Sequence, residues 1–432
     1  METVKETENI FDSSGYKRSR VGFVLYSAFD YFISLLVTDA FLAKLLLNMG
    51  FSDTLIGVVS SIVGAASFFQ IATILLAQKI RSLKAFSIVT IESSYLFFIS
   101  LYLLPFSPFG SYAKQLTVIV FILLARFCYS VVAPFTIKWG YTFVDPKKRG
   151  AFVAKNEIIA IIGGMVFTIF VGFMVDYYES INNIKGGFVF VCVSGLVLSI
   201  LSLLSLLNIS DVKSRKEQSE PLKNCLKNIV CNKGCIALMI LNAIAAVSGY
   251  LTVPFMGTYK TKELMFSVGI VQVINAAATI CRAFASRLFG KISDKISFAK
   301  SIEIGYFISA VAFALSIFAT PKTRWLNIIF TVLYTASLAG TGTNSSIMLY
   351  NFVDKKYFSQ ALALQNIVIG AVVIGTSLVA SRILGAIQAN GNTVFGIHMY
   401  AQQFLSAISL VLAVVSTLFV RFAFCGKKEL KN

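Results

Sequence analysis

Residues 264–319 read LMFSVGIVQVINAAATICRAFASRLFG (264–290), KISDKISFAK (291–300) and SIEIGYFISAVAFALSIFA (301–319). Two apolar runs, each near the roughly 20 residues a helix needs to cross a bilayer, flank a short connection that carries Lys291, Lys295 and Lys300. The pattern recurs along the chain. Apolar runs of spanning length occur at Val21–Leu47, Leu55–Ala77, Ala85–Leu104, Leu116–Ile137, Ile158–Val175 and Gly187–Leu207, then at Gly234–Thr258, Leu264–Phe289, Ile302–Ala319, Trp325–Tyr350, Phe358–Ile387 and Val394–Phe424. The 432 residues are 57% hydrophobic and only 13% charged, against about a quarter charged in a soluble domain. Such a chain cannot cover itself with polar surface, and the expectation is an all-α membrane protein of twelve transmembrane helices.

The net charge of +18 would suit nucleic acid if it formed a patch on a folded surface, but the bases sit between spans. Lys79, Arg81, Lys84, Lys147, Lys148, Arg149, the run Lys213 to Lys233, Lys291, Lys295, Lys300, Lys355 and Lys356 fall on one side. Lys114, Lys185, Lys260, Lys262, Lys322 and Arg324 fall on the other. Cytoplasmic loops collect Lys and Arg, so the reading is a multi-pass cell-membrane protein with both termini cytoplasmic and no nucleic-acid partner. Residues 1–20 show no short apolar core before a small-residue cleavage site, so they read as a cytoplasmic tail rather than a signal peptide. The seven Cys avoid the exterior loops, and Cys225, Cys231 and Cys235 in the central loop have irregular spacing and no His, which argues against disulfides, a metal or any other cofactor.

The halves resemble one another. Tyr141, Phe143, Val144, Asp145 and Lys147 recur at one offset as Tyr350, Phe352, Val353, Asp354 and Lys356, and Lys79, Ile80 and Phe86 match Lys291, Ile292 and Phe298. Two matches in register at equivalent loops point to a duplicated six-helix unit. The division is a tail (1–20), a first six-helix bundle (21–208), a cytoplasmic central loop (209–233), a second bundle (234–424) and a tail (425–432).

Across nearly its whole length the chain resembles the major facilitator superfamily. Gly290-Lys-Ile-Ser-Asp294-Lys295, continuing to Lys300, looks like that family's Gly-x3-Asp-basic loop; Ala77 to Lys84 keeps the bases but lacks the Gly and Asp. Asp145-Pro-Lys-Lys-Arg149-Gly150 is similar to the loop that follows the family's fourth span. Within the family the chain is similar to bacterial, clostridial-type members, a likeness that brings no substrate with it. The resemblance implies two pseudo-symmetric bundles alternating access to a midplane site, and a cavity lined by the first, fourth, seventh and tenth helices. Asp145, Arg149, Gly290, Asp294, Lys295 and Asp354 would then belong to gating loops, with Glu157, Asn156, Gln365 and Asn366 at a cytoplasmic gate.

Ionisable residues inside spans are expensive, roughly 3 kcal/mol each on insertion scales, and are functional candidates for that reason. Arg126 lies halfway along the fourth span on a face with Tyr129 and Ser130. Asp30 shares a polar stripe with Tyr26, Ser27 and Ser34 on the first span, and Asp39 lies half a turn round from it. One of these two carboxylates is expected to face the cavity and to couple protons, the stripe favouring Asp30. Arg282 shares a face with Gln272, Asn275, Thr279 and Ser286; it could bind solute or sit where helices move. Asn242 with Tyr334, Thr341 and Asn344, on the seventh and tenth spans, suits hydrogen bonding to a polar solute. Glu92 and Glu303 are expected to pair with loop bases. No nucleophile, metal-ligand spacing or phosphate loop is found, and His398 stands alone, so an enzyme is not indicated. The reading is a secondary active transporter of a small polar or anionic solute of sugar or sugar-derivative type, proton-coupled and monomeric. A multidrug/proton antiporter is the rival transporter, and a solute sensor or lipid flippase the rival of another class.

Overall fold

A computed structural model describes residues 13–66, 69, 80, 82–145, 149–211, 231–353 and 358–425. The helices are α1 (Ser14–Leu36), α2 (Asp39–Asn48), α3 (Asp53–Ala65), α4 (Leu83–Ser100), α5 (Ser111–Tyr141), α6 (Arg149–Ser180), α7 (Ile184–Leu207), α8 (Lys233–Thr252), α9 (Val268–Lys295), α10 (Phe298–Ile317), α11 (Trp325–Phe352), α12 (Phe358–Ala389) and α13 (Ala401–Val420). Helices dominate because lipid offers backbone N–H and C=O groups no partner, and a helix satisfies them within the segment. Among the described residues ten helices are long and apolar enough to cross a membrane, and the pair α1 and α2, bent by 43°, makes an eleventh. The span expected at Leu55–Ala77 begins as α3; its later part, like Asp354 and most of the central loop, lies outside the described residues.

Starts are set by short polar side chains. Ser52, Ser82, Asn183, Asn232 and Ser297 each accept a hydrogen bond from a backbone N–H in the first turn of α3, α4, α7, α8 and α10, the usual way of satisfying N–H groups that have no carbonyl behind them.

The first span departs from the expected continuous Val21–Leu47 helix. The backbone breaks at Val37 and Thr38, and Asp39 opens α2 in the left-handed region at φ 44°. The break frees carbonyls that apolar surroundings cannot satisfy, and side chains take them: Thr38 Oγ1 donates to Leu35 O at 3.0 Å and the Tyr102 hydroxyl donates to Leu36 O. Two other expectations change. Gly290, Asp294 and Lys295 belong to the last turns of α9 rather than to a loop, and the final helix starts at Ala401, after a small hairpin pairing Thr393 and Val394 with Ile397 and His398.

The chain forms two compact units. The first holds α1, α2, α4 to α7 and the opening turn of α9 (Val268–Gln272); the second holds α3, α8, the rest of α9 and α10 to α13. Each unit is apolar outside and studded with small polar groups inside. Val89, Val166, Phe284 and Val411 are more than 60% exposed, whereas Ser87, Ser202, Ser301, Ser316 and Ser406 are fully buried. In lipid, apolar contacts alone do not favour helix against helix, so small residues that permit close approach and hydroxyls that bond across helices hold the bundle. In the second unit Ser309 pairs with Ser337 at 2.7 Å, Thr252 with Ser409 at 2.8 Å, and Ser406 with Ser316 at 3.1 Å. Closest of all is Gly57 of α3 beneath the Phe255 ring, where an added Cβ would lie 1.8 Å from a ring carbon. Gly57→Val is therefore expected to cost about 1–3 kcal/mol by overpacking, read as a lower unfolding temperature of the purified protein, and Phe255→Ala in the same chain should recover part of the loss.

Candidate functional site

The polar stripe on α1 forms a cluster inside the first unit. One carboxylate oxygen of Asp30 accepts the Tyr95 hydroxyl at 2.7 Å and the other accepts the Tyr129 hydroxyl at 3.1 Å. Tyr95 comes from the middle of α4 and is 1% exposed; Tyr129 sits one turn after Arg126 on α5. Arg126 is 7% exposed, holds its guanidinium 4.8 Å from the centroid of Phe98, and lies near enough to Asp30 and Tyr129 for their charges to act on it. Its Nε is buried without a partner. Tyr26, buried one turn before Asp30, faces the same group. An anion at Asp30 thus has two donors and a neighbouring cation inside the bundle.

Asn156, named with the gate candidates, donates to Ser27 at 2.9 Å on the α1 stripe, with its Oδ1 unused. Among the described residues Glu92 meets no loop base. It accepts Ser199 Oγ of α7 at 2.6 Å within the bundle, and its second oxygen is buried without a partner. Glu303 does meet one, in an ion pair with Lys300 at 2.7 Å.

The second unit contains a partly open cavity of about 250 Å³ lined by α8, α10, α11, α12 and α13. Asn242, Tyr334 and Thr341, three of the residues singled out in the sequence, line it together with Tyr306, Gln365 and Ser416. Asn344 does not. Its amide donates to Ser301 Oγ at 2.7 Å and to Gly340 O at 2.8 Å and its carbonyl accepts Ser293 Oγ at 2.9 Å, so it ties α9 and α10 to α11 with every group used. Arg282 is exposed on α9, unlike the buried Arg126, and the stripe it shares with half-buried Asn275 does not converge on the cavity. Among the gate candidates Glu157 is exposed, Asp145 is half-buried after α5, and of Arg149 only the backbone is described, as the first residue of α6.

Two carboxylates that the sequence did not single out hold helix ends. Asp53 Oδ2 accepts Lys262 Nζ at 2.9 Å and Gln388 Nε2 at 2.6 Å, tying α3 to the turn at Tyr259–Glu263 and to the end of α12 in the second unit. Asp176 of α6 accepts the N–H groups of Val268 and Gly269 at 2.9 and 2.7 Å, capping α9 within the first unit. Charge-assisted bonds contribute about 1.5–3 kcal/mol each. Asp53→Ala should lower the unfolding temperature of the purified protein clearly, and Lys262→Ala, whose ammonium is half exposed, much less.

The model of the Major Facilitator Superfamily matches residues 21–376. Among solved structures, a point mutant of the nucleoside transporter NupG superposes with a TM-score of 0.72 at 16% identity, over 94% of this chain and 99% of that one. A bacterial homologue of the human lysosomal transporter Spinster, inward-facing and unoccupied, gives 0.69 at 14% identity over 95% and 97%. A bacterial homologue of the iron transporter ferroportin, inward-facing, gives 0.67 at 12% over 94% and 97%. No curated protein matches the chain in sequence. At these identities the structural likenesses speak for the fold alone.

Proposed function

The chain belongs to the major facilitator superfamily, and from that premise we propose that it is a secondary active transporter of a small polar solute, of sugar or sugar-derivative type, driven by protons that bind at Asp30. The observation that carries the reading is the Asp30 carboxylate, held by Tyr95 and Tyr129 with Arg126 alongside. A charge kept inside a membrane protein costs several kcal/mol unless it is used or neutralised. Here neutralisation can come by a proton arriving at Asp30, which changes what Arg126 and the two tyrosines hold. That is a two-state element of the kind alternating access needs.

Buried tyrosine, asparagine and glutamine favour a hydrogen-bonding solute over a lipophilic cation. The orientation proposed is that of a monomer in the cell membrane with both termini in the cytoplasm, in keeping with where Lys and Arg fall. Reconstitution into vesicles holding a trapped pH-sensitive dye tests the reading. Addition of a polar uncharged or acidic solute should bring protons across with it; proton movement triggered only by cationic drugs would replace the reading with drug/proton antiport.

A further inference from the structure

A second carboxyl lies within the first unit, outside the Asp30 cluster. Glu92 stands on α4 one turn before Tyr95. It falls between the buried face to which Tyr95 belongs (1% exposed) and the outer face of Val89 and Leu96 (67% and 55% exposed), and is itself half-buried. Ser199 of α7 donates to one of its oxygens at 2.6 Å, and the other oxygen is buried and bonds to nothing. Among the described residues no cation acts on it. Asp30 has two tyrosine donors and Arg126 for its charge; Glu92 has one serine. An unpaired carboxylate in apolar surroundings takes up a proton. A glutamine would accept the same bond from Ser199 without ever titrating, so the one thing the acid adds at this position is a proton it can hold and release.

Hydroxyls lie between the two carboxyls. Helix α7 packs against both α1 and α4, and its Ser202, one turn beyond Ser199, is fully buried close to the Tyr95 hydroxyl, with an Oγ that bonds to nothing among the described residues. Tyr95 in turn donates to Asp30 at 2.7 Å. From the outer face inward the order is Glu92 with Ser199, then Ser202 with Tyr95, then Asp30. A hydroxyl both donates and accepts, so each can take a hydrogen on one side and yield its own on the other. The charge of Glu92 also reaches Tyr26, on the Asp30 stripe. Along α4, Glu92 is nine residues from Leu83 (92 − 83), about 14 Å at 1.5 Å per residue, and one turn nearer than Tyr95 to the end that carries Lys84.

We propose that Glu92 is a second proton-binding site, which exchanges its proton with Asp30 through the hydroxyls of Tyr95, Ser202 and Ser199. It deepens the transporter reading and rests on it: the proton acts at Asp30, and Glu92 is its station on the way to or from the basic end of α4. In each exchange one carboxyl becomes a carboxylate and the other carboxylate a carboxyl, while every hydroxyl between them ends with the single hydrogen it began with.

The test uses the full-length protein in lipid vesicles. Infrared difference spectra between about pH 5 and about pH 9, a range that brackets a perturbed carboxyl, should show a protonated-carboxyl C=O band that fades as pH rises and is missing from Glu92→Gln. Should that variant fail to fold, dicyclohexylcarbodiimide, an apolar reagent that adds to protonated carboxyls, makes the same measurement on the wild type, its labelling of the Glu92 peptide falling at least tenfold across the range. A Glu92 band or label that is constant with pH, or absent throughout, overturns the site. Transport is then followed with a trapped pH-sensitive dye, adding glucose, N-acetylglucosamine, uridine and glucuronate in turn. For a probe that brings protons across in the wild type, Glu92→Gln should slow the proton flux at least tenfold, Glu92→Asp should recover part of it, and exchange of labelled for unlabelled probe should persist. Unslowed flux in Glu92→Gln overturns the second site and leaves Asp30 in place, whereas unslowed flux in Asp30→Asn overturns the reading on which it rests. No proton movement with any probe, while Glu92 still titrates, removes proton-driven transport of these solutes and leaves Glu92 a proton-binding group.

Discussion

Asp30→Asn abolishes uphill accumulation of solute in vesicles under an inward proton gradient, down to the level of empty vesicles, while exchange of labelled for unlabelled solute persists. Asparagine has nearly the shape of aspartate and cannot take up or release a proton. Its Oδ1 can accept from one of Tyr95 and Tyr129, and the other hydroxyl, which either donates or accepts, can take a hydrogen from Nδ2. The packing around α1 is therefore kept, and what is lost is the proton-dependent change of charge beside Arg126. The pair of measurements separates coupling from folding: a misfolded variant loses both, an uncoupled one loses accumulation alone. Wild-type accumulation in the asparagine variant would remove Asp30 from the mechanism.

Arg126→Ala should slow solute transport at least tenfold in either direction, with accumulation and exchange failing together. The guanidinium is the cation facing the Asp30 cluster, and its removal leaves a carboxylate in a largely apolar bundle with two tyrosine hydroxyls and no opposite charge. Taking one partner from a buried charged set costs about 3–5 kcal/mol, which the protein avoids by holding Asp30 protonated throughout the cycle. Arg126→Lys should recover only part of the rate. An ammonium keeps the charge but lacks the flat face that rests on Phe98 and the fixed fork of donors that arginine presents. Initial rates for the three proteins, at matched amounts in vesicles, decide the matter; full activity in the lysine variant would mean that charge alone matters there.

Much of the fold was legible because crossing a membrane writes itself into composition: the long apolar runs between basic connections are helical, except that Val21–Leu47 is broken after Leu36, Val394–Phe424 opens in a hairpin, and part of Leu55–Ala77 lies outside the described residues. The grouping of Asp30 with Tyr26, and of Arg126 with Tyr129, was legible from helical spacing. Tyr95 was not. A lone tyrosine in a span reads as packing, and only the approach of α4 to α1 reveals that it holds the carboxylate. Spacing also says which residues share a face without saying what that face meets. For this reason Arg282 and Arg126 looked alike in sequence, yet one is exposed and the other 7% exposed. Asn344 shows the same limit of spacing, since a polar residue in a Gly-rich stretch can knit helices together, as its bonds to Ser293 and Ser301 do here. The break after Leu36 carried no Pro or Gly to announce it, because the signal lies in Thr38 and a tyrosine 64 positions further on (102 − 38) that take up the freed carbonyls.

That break turns the outer part of the first span aside. Beyond it stand the ten residues of α2, a rod about 15 Å long at 1.5 Å per residue, joined to α1 by Val37 and Thr38. Its new direction is fixed by packing, since Ala40, Phe41, Leu42, Ala43, Leu45 and Leu46 are all buried; the partly exposed ion pair between Lys44 and Glu179 of α6 adds no more than about 1 kcal/mol. The joint is thus an elbow and not a hinge: it lets one span run in two directions while Asp30, two turns below, stays on the straight part with its tyrosines.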